Sequence, residues 1–416
     1  MRILLSTLLA SSLAWSLTLD EAISRAKIYS PELKKAQVEV KRSNALESVA
    51  YSNYLPTLNA TYSYKYRDKK TLFSRRNSYQ YGLVSNYNLF NGLADYFNVS
   101  NAKEQIKISR LQEKATKEDL ILAVKSSYIE LLKFTKEITV RKEALKLLNK
   151  QYKDINNRYE LGMSAKNELL QVDVSLQNTK HDLLKAQSKQ IKKRANLNKL
   201  LNGNLKIDEK IEDISNLNLP TFSFKNLEKK MLNQRSELAV LSAQTNQLKA
   251  QSKIIRASYL PKVNLTVNHT IYDQSEKLGT AIAQPKDETT AVVNATWNLF
   301  EGGKTKAEQN VKIEELSAKN FDIESLIQNL RFQLREAYED YLLAKDSQKI
   351  ASHSLSSAKE NYRIIADLNK EGNVKAVTLL DARLDLTQSQ LLVNNAMLDL
   401  YMSYAKLERI VETKID

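Results

Sequence analysis

Two long stretches with almost no glycine or proline constrain the fold of this 416-residue chain more than any other feature. Gly92 and Gly162 bound the first stretch, and Gly302 and Gly372 bound the second; the two spacings are identical (162 − 92 = 372 − 302). Apart from Gly303, neither stretch contains glycine or proline. Because chain reversals depend on these residue types, each stretch predicts one helix of about 100 Å, at about 1.5 Å per residue. Helices of that length must pack lengthwise.

These stretches belong to an internal duplication that fills the chain. Three motifs recur in the same order, at sequence offsets of 205 (261 − 56), 210 (302 − 92) and 210 (372 − 162). They are Tyr-Leu-Pro at 54–56 and 259–261, Asn-Leu-Phe-x-Gly at 88–92 and 298–302, and Gly followed by Leu-Leu at 162–170 and 372–380. The sequence therefore predicts a first repeat over residues 17–219 and a second over residues 220–416, with Pro220 in the polar linker between them.

Each repeat is predicted to begin with an amphipathic helix and to continue as a β-hairpin. Thr18 and Glu21 form a capping box, helical spacing runs on to Leu55, and Pro56 ends the helix. Strict alternation then predicts strands, in hairpins at about residues 56–90 and about residues 261–300. The apolar faces carry Leu58, Ala60, Tyr62, Tyr64, Tyr66, Tyr79, Tyr81, Leu83, Tyr87 and Leu89 in the first hairpin, and Val263, Leu265, Val267, Ala291, Val293, Ala295, Trp297 and Leu299 in the second.

A long helical hairpin follows each β-hairpin, with its tip at Gly162 or Gly372. Apolar residues three and four apart, as in a coiled-coil seam, are Leu145, Leu148, Tyr152, Ile155 and Tyr159 on the outgoing helix of the first repeat. The stripes on the returning helices are Leu169, Val172, Leu176 and Leu183 in the first repeat, and Val393, Met397, Leu400, Tyr404 and Leu407 in the second.

Residues 1–16 are typical of a signal peptide, with Arg2 before a short apolar run and then small residues, which predicts cleavage after Ala14 or Ser16. The run is too short for a membrane-spanning helix. Since the chain has no cysteine, lipidation of an N-terminal cysteine, disulfides and thiolate metal sites are excluded. We therefore expect an exported, non-lipidated protein.

The formal charge of +15 allows two readings, a surface for nucleic acid or acidic lipid and ordinary solvated helix faces. Basic and acidic residues alternate along the predicted helices, as at Lys142-Glu143, and an exported protein seldom meets nucleic acid. Solvated helix faces are favoured, and no nucleic-acid partner is expected.

The sequence contains no recognisable catalytic motif. His181, His269 and His353 are far apart along the chain (269 − 181 = 88 and 353 − 269 = 84), which is not the spacing of metal ligands. There is no glycine-rich phosphate loop, and serines lack the context of a nucleophile elbow. We expect neither an enzyme nor a metal or other cofactor.

The alternating strands suit an outer-membrane β-barrel, although one face of a soluble β-sandwich would alternate in the same way. Tyrosine is concentrated in and beside the strands, and an exported chain favours the membrane. Four strands cannot close a barrel, and an open edge in lipid leaves backbone groups unsatisfied. Two chains would give eight strands and three would give twelve, wide enough for a lumen; these residues alone leave the choice open.

The mature chain resembles the TolC family of outer-membrane efflux proteins over its whole length. The motifs that carry the resemblance are Leu-Thr-Leu-Asp-Glu-Ala at 17–22, Ser-Pro-Glu-Leu at 30–33, both hairpin tips, and the corners marked by Pro56, Gly92, Pro261 and Gly302. The resemblance implies a mainly α homotrimer, with a shared twelve-stranded membrane β-barrel continued by a periplasmic α-helical coiled-coil barrel. It also implies an export duct in the outer membrane that docks to a periplasmic adaptor (membrane fusion protein) and an inner-membrane pump.

The resemblance further implies a gate of acidic side chains at the helix tips. The matching positions here are Asn167, Glu168, Thr378 and Asp381, and Asp385 lies one turn beyond Asp381. Rings of carboxylates around a threefold axis would repel one another and prefer cations. The alternative interpretation is that these carboxylates are ordinary solvated groups on the helix surface. Thr378 and Val374 depart from the family pattern, which commonly has an acid at the first position and a latching arginine at the second.

The tips themselves are where adaptors meet family members. The residues concerned are Leu161, Gly162, Met163 and Ser164 in the first repeat and Gly372, Asn373 and Val374 in the second. A plain helical turn would also need glycine, since glycine permits positive φ and close helix approach. The rival class is a periplasm-spanning coiled-coil tether without a conducting lumen, which explains the long helices but not the duplicated alternating strands.

Overall fold

A computed structural model describes residues 16–69, 76–206, 209–214, 221–272 and 286–413. The predicted signal peptide, apart from Ser16, therefore lies outside the described residues. Pro220 and the predicted boundary between the repeats lie outside them as well.

Within these ranges the chain alternates helices and hairpins in the predicted order. The helices are α1 (Leu19–Tyr29), α2 (Pro31–Ser52), α3 (Ala94–Glu160), α4 (Lys166–Leu200), α5 (Phe224–Gln234), α6 (Ser236–Arg256), α7 (Lys304–Lys370) and α8 (Ala376–Val411), with a short 3-10 helix at Ala257–Tyr259. The strands are β1 (Thr57–Tyr66), β2 (Asn77–Asn91), β3 (Lys262–Tyr272) and β4 (Asp287–Thr296). None of the described helices combines the length and apolar character needed to cross a bilayer.

The two long helices, α3 and α7, are each 67 residues, which confirms the prediction from the glycine-free stretches. Both ends of α7 follow the matching ends of α3 at the same sequence offset (304 − 94 = 370 − 160 = 210). The duplication is therefore expressed in the helix boundaries as well as in the motifs.

The prediction of one continuous helix from Thr18 to Leu55 is wrong in detail, because the structure has two helices, α1 and α2, in this segment. Ser30 adopts φ −57° and ψ 121°, outside the helical region, directly before Pro31. Proline disfavours helical ψ in the preceding residue and is itself well placed at the first position of a helix. The start of α1 is as predicted, since the backbone N–H of Glu21 donates to Thr18 Oγ1 at 3.1 Å.

The four strands form one antiparallel sheet in the order β1-β2-β3-β4, so the two hairpins join through β2 and β3. The register places the predicted apolar residues of neighbouring strands opposite one another, as with Leu265 and Val293. Tyr62 and Tyr81 pair with ring centroids 5.1 Å apart, and Tyr64 and Tyr79 pair at 4.9 Å. Aromatic cross-strand pairs add about 0.2–1 kcal/mol each to the stability of a sheet.

The last strand is shorter than predicted, because β4 ends at Thr296 and the chain leaves the sheet before Trp297 and Leu299. Thr296 pairs with Lys262, the first residue of β3, and the preceding Pro261 has no N–H to extend the ladder. The indole Nε1 of Trp297 instead donates to the carbonyl oxygen of Tyr259 at 3.0 Å.

The described chain forms two compact units. Of the described residues, the first unit comprises 16–35, 114–206, 209–214, 221–236 and 327–413, and the second comprises 36–69, 76–113, 237–272 and 286–326 and holds the sheet. A core of the first unit surrounds Tyr128, whose hydroxyl lies 2.8 Å from the carbonyl oxygens of both Leu17 and Glu212. Burial raises the pKa of Tyr128, which therefore remains a neutral donor.

The predicted coiled-coil seam of the first helical hairpin is present except at Tyr159, which is exposed. Leu148 and Ile155 of α3 are buried against Val172 and Leu176 of α4, with Leu145, Tyr152 and Leu169 partly buried beside them. Leu380 of α8 belongs to the same apolar cluster, so the second helical hairpin packs onto the first close to the tips. Burying a leucine side chain contributes about 1.5–3 kcal/mol, so this contact fixes the start of α8.

Candidate functional site at the helical hairpin tips

The outgoing helices of the two hairpins, α3 and α7, end with the same hydrogen-bonding motif around a glycine. Gly162 has φ +72°; its N–H donates to Tyr159 O at 2.9 Å, and the N–H of Met163 donates to Arg158 O at 2.8 Å. This pair of bonds is a Schellman motif, in which a left-handed residue satisfies the last carbonyls of the helix. Leu161, Gly162 and Met163 are exposed and Ser164 is half-buried.

The second tip repeats this geometry. Gly372 has φ +79°; its N–H donates to Asn369 O at 3.2 Å, and the N–H of Asn373 donates to Leu368 O at 2.9 Å. The side chain of Asn369 also donates to the carbonyl oxygen of Val374 at 3.1 Å, which closes the turn. Gly372 and Asn373 are exposed, and Val374 is half-buried.

Positive φ, rather than close packing, explains the tip glycines. No described atom lies within 4 Å of a Cβ built on Gly162 or Gly372. The expectation that close helix approach also requires these glycines therefore does not hold within one chain. The space in front of each tip is open.

The acidic candidates of the first repeat lie at the start of α4. Glu168 is half-buried, and its carboxylate accepts a hydrogen bond from Ser164 Oγ at 2.9 Å. A carboxylate in the first turn also interacts favourably with the helix dipole. Asn167 beside it is exposed, as is Thr378, which occupies the position of Glu168 in the second repeat (378 − 168 = 210).

Asp381 and Asp385 are exposed and project from one side of α8, one turn apart. Their orientation follows from the neighbours Leu380 and Arg383, which are both buried against the first hairpin. Because Leu380 and Arg383 occupy one face of the helix, the two carboxylates point away from it. The structure thus separates a packing face of α8 from an acidic face.

Sequence reasoning missed Arg383, the buried cation on the packing face of α8. Its Nη1 donates to the carbonyl oxygen of Leu147 at 2.8 Å and to Gln151 Oε1 at 2.7 Å, and its Nη2 donates to the Tyr362 hydroxyl at 3.2 Å. Its Nε is buried without a hydrogen-bond partner among the described residues. The available signal was a charged residue three positions after Leu380, within an apolar stripe.

A row of exposed ion pairs runs along α7 towards the second tip. Arg363 pairs with Glu360 at 2.7 Å and with Asp367 at 3.6 Å, and Lys370 pairs with Asp367 at 2.9 Å. Hydrogen bonds from Arg363 and Lys370 lower the pKa values of Glu360 and Asp367, respectively. These carboxylates are therefore charged at neutral pH.

The predicted corners differ between the repeats. Gly92 is buried at φ +58°, and a Cβ there would lie 2.2 Å from the carbonyl oxygen of Ala257. Gly302 is exposed at φ +61°, with no described atom within 4 Å of a built Cβ. Pro56 is exposed and Pro261 half-buried, each directly before a strand. Within the described ranges, no group of three or more His, Asp or Glu side chains is placed to hold a metal ion.

Two helical hairpins from an internal duplication, together with one shared antiparallel sheet, define the class of this protein. Comparison with known protein families identifies that class. The sequence profile of the family described as outer membrane efflux protein matches the chain twice, over residues 22–203 and 227–411. The chain therefore belongs to the outer membrane efflux protein family, as its motifs predicted. No curated protein sequence matches it significantly.

Solved structures share the fold. The chain is similar to CusC, with a TM-score of 0.81, 16% identity, and coverage of 94% of this chain and 91% of CusC. It is similar to the open state of the Neisseria gonorrhoeae MtrE outer membrane channel, with a TM-score of 0.78, 19% identity, and coverage of 95% and 89%. The Campylobacter jejuni CmeC outer membrane channel gives a TM-score of 0.77, 18% identity, and coverage of 94% and 85%.

Proposed function

We propose that the chain is the outer-membrane duct of a tripartite efflux or type I secretion system, a passive exit tunnel gated at its periplasmic helix tips. The observation that carries this proposal is the family match, which covers most of both repeats. Export by the signal peptide at residues 1–16 and a non-lipidated mature chain are part of the proposal.

The sheet supports a homotrimer in the outer membrane. In the order β1-β2-β3-β4, the outer edges of β1 and β4 lack a neighbouring strand in the described chain. Strand edges cannot remain open in lipid, because their backbone groups would be unsatisfied. Three copies joined edge to edge would supply twelve strands around a lumen, with the face that holds Tyr62 and Tyr81 towards the lipid.

The proposed gate consists of Asp381 with Glu168, together with Asn167, Thr378 and Asp385. Asp381 and Asp385 are the better placed, because their side of α8 faces away from the packed hairpins. Repeated three times around an axis, these carboxylates would form a ring that prefers cations. Glu168 also has a structural role, because its carboxylate accepts a hydrogen bond from Ser164 at the start of α4.

The tips are the proposed contacts for the periplasmic adaptor and, through it, the inner-membrane pump. Leu161 and Met163 are about three-quarters exposed at 74% and 75%, which is unusual for large apolar side chains. The open space before Gly162 and Gly372 would admit a partner's helical turn.

Conductance of the purified, trimeric mature protein in planar bilayers tests the proposal. A duct is expected to give discrete, cation-preferring steps, whereas a coiled-coil tether gives none. Far-ultraviolet circular dichroism should show a helix-rich protein, and the oligomer should survive mild detergent. Correctly assembled trimers without conductance would overturn the proposal.

A further inference from the structure

The polar face of the sheet has a central region without charged side chains. Three successive rows of paired residues across the strands contain no Lys, Arg, Asp or Glu. They are Asn88, Asn264 and Asn294 in the first row, Thr57, Asn86, Thr266 and Val292 in the second, and Asn59, Val84, Asn268 and Thr290 in the third. We call these eleven residues the neutral band. Because 27% of the residues in the chain are charged, a water-facing surface without charge is a specific feature of this sheet.

Asparagine is the commonest residue of the neutral band, at six of its eleven positions. Asparagine is depleted in β-strands, because its amide competes for backbone hydrogen bonds and packs poorly on a pleated surface. The opposite face of the same strands carries residues that favour strands, such as Tyr62 and Val293. The asparagines therefore serve the surface that they present rather than the stability of the strands.

The side chains of the neutral band can bind polar groups of any kind. Asn59, Asn264 and Asn294 are exposed, and each amide has two N–H donors and an acceptor oxygen. Thr266 Oγ1 donates to Asn86 Oδ1 at 3.0 Å, which uses none of the donors of that amide. Amides and hydroxyls offer hydrogen bonds to anions, cations and neutral solutes alike.

Charged residues lie at the two ends of the neutral band. Lys262 precedes the first row on β3, and Asn88 of that row donates to the buried carboxylate of Asp95 at 2.6 Å. Glu288 and Lys65 follow the third row on β4 and β1. Eight positions along β3 separate Lys262 from the partner of Glu288, so the second row lies about 13 Å from each, at about 3.3 Å per residue. Since salt screens exposed charges over about 8 Å at physiological ionic strength, the second row lies beyond the reach of both.

We infer that the neutral band lines the lumen of the β-barrel as an exit without an electrostatic filter, which passes polar solutes of either charge. The inference rests on the proposed duct, in which the face with Tyr62 and Tyr81 meets lipid and the polar face therefore meets the lumen. In three copies the band would form rings of amides and hydroxyls, whereas a single charge per chain would form a ring that selects ions. Any selection by charge then falls on other parts of the duct.

Charges placed in the second row test the inference. Asn86 is exposed in this row, so Asn86→Asp and Asn86→Lys would each add one charge of known sign per chain to the lumen. Purified trimers are compared in planar bilayers under a salt gradient. We expect the two reversal potentials to shift from that of wild type by similar amounts in opposite directions. Asn86→Gln changes size but not charge, and as the control it should leave the reversal potential unchanged.

A second position guards against a variant that fails to assemble. Val292 is exposed in the same row on β4, and Val292→Asp and Val292→Lys should give the same pair of opposite shifts. Agreement between the two positions would assign the effect to the row rather than to one side chain.

Three outcomes would overturn the inference. If the lysine variants abolish a preference for cations that the aspartate variants do not increase, the lumen already carries a negative filter. Conducting trimers in which none of the four charged variants shifts the reversal potential would show that the band does not line the path, and would leave the duct intact. Wild-type trimers without conductance would overturn the proposed duct, and the inference with it.

Discussion

Arg383 of α8 donates to the side-chain oxygen of Gln151 on α3 at 2.7 Å, and Gln151 donates to the carbonyl oxygen of Ala376 at 3.0 Å. The two residues therefore join the second helical hairpin to the first close to the tips. Arg383→Met should leave the Leu147 carbonyl and Gln151 with unsatisfied groups, at about 1–3 kcal/mol. We expect faster hydrogen exchange in the first turns of α8 and a higher resting conductance.

Arg363→Met is the matched control, because Arg363 is exposed and its ion pairs lie within α7. Solvent screens such exposed ion pairs and they contribute little to stability, so exchange in α8 should be unchanged. Equal exchange and conductance in the Arg383→Met and wild-type proteins would show that this contact does not restrain the tip.

Asp381→Ala should weaken cation preference and raise the resting conductance, because one carboxylate per subunit leaves the proposed ring. Ion selectivity from reversal potentials in a salt gradient measures the effect. Asp346→Ala is the control, since Asp346 is an exposed carboxylate on α7 paired with Lys349 at 3.7 Å. If both variants behave alike, Asp381 has no place in the gate.

Gly92→Ala should destabilise the protein by more than about 2 kcal/mol, since it combines a left-handed φ with a clash. The added methyl group would lie 2.2 Å from the Ala257 carbonyl oxygen. Gly302→Ala meets no described atom within 4 Å and should cost only about 1–2 kcal/mol, from its φ of +61°. Thermal unfolding of the two variants side by side checks the difference; equal losses would contradict it.

Gly162→Asn and Gly372→Asn should fold and assemble, because asparagine tolerates positive φ better than other side chains. Export should nevertheless fall if the tips dock an adaptor, since the side chain occupies the open space in front of the turn. Gly203→Asn provides the control, as Gly203 has φ +84° and equally open surroundings but lies beyond the far end of α4. Loss of trimer, rather than of export, would make the tip glycines purely structural.

Acid should loosen the segment that Arg25 ties to α1. Burial favours a raised pKa for Glu209, but the hydrogen bonds from Arg25, at 2.7 and 3.1 Å, and from the Lys206 N–H hold it below its ordinary value. A lowered carboxyl pKa contributes stability above the unfolded value of about 4.3, and this stability is lost as pH falls through the folded value. The melting temperature of wild type should fall more than that of Glu209→Gln between about pH 6 and about pH 3.

Much of the fold is predictable from the sequence because the governing signals are local. The absence of helix breakers fixes the lengths of α3 and α7, and alternation places Tyr62 and Tyr81 on one face of the sheet. The division at Ser30 was also available, from Pro31. The end of β4 was not, because it depends on where its partner β3 begins.

The residues of the candidate site also fall into those that the sequence predicts and those that only the structure reveals. Gly162, Gly372 and the acidic positions follow from spacing and from the family resemblance, and their roles in gating and docking stay predictions. Arg383 and Gln151, far apart along the chain, meet only because the second hairpin packs on the first. No local pattern encodes that contact.

The sequence by itself determined the duplication, the long helices and the two-faced strands. The duplication follows from motifs that recur in both halves of the chain, and the helices and strands follow from the local spacing of residue types. The tertiary structure alone decided that β2 pairs with β3 and that α3 packs on α8. The physical reason is distance along the chain. Periodicity shows which face of an element is apolar, whereas its partner depends on shape and charge far away in the sequence.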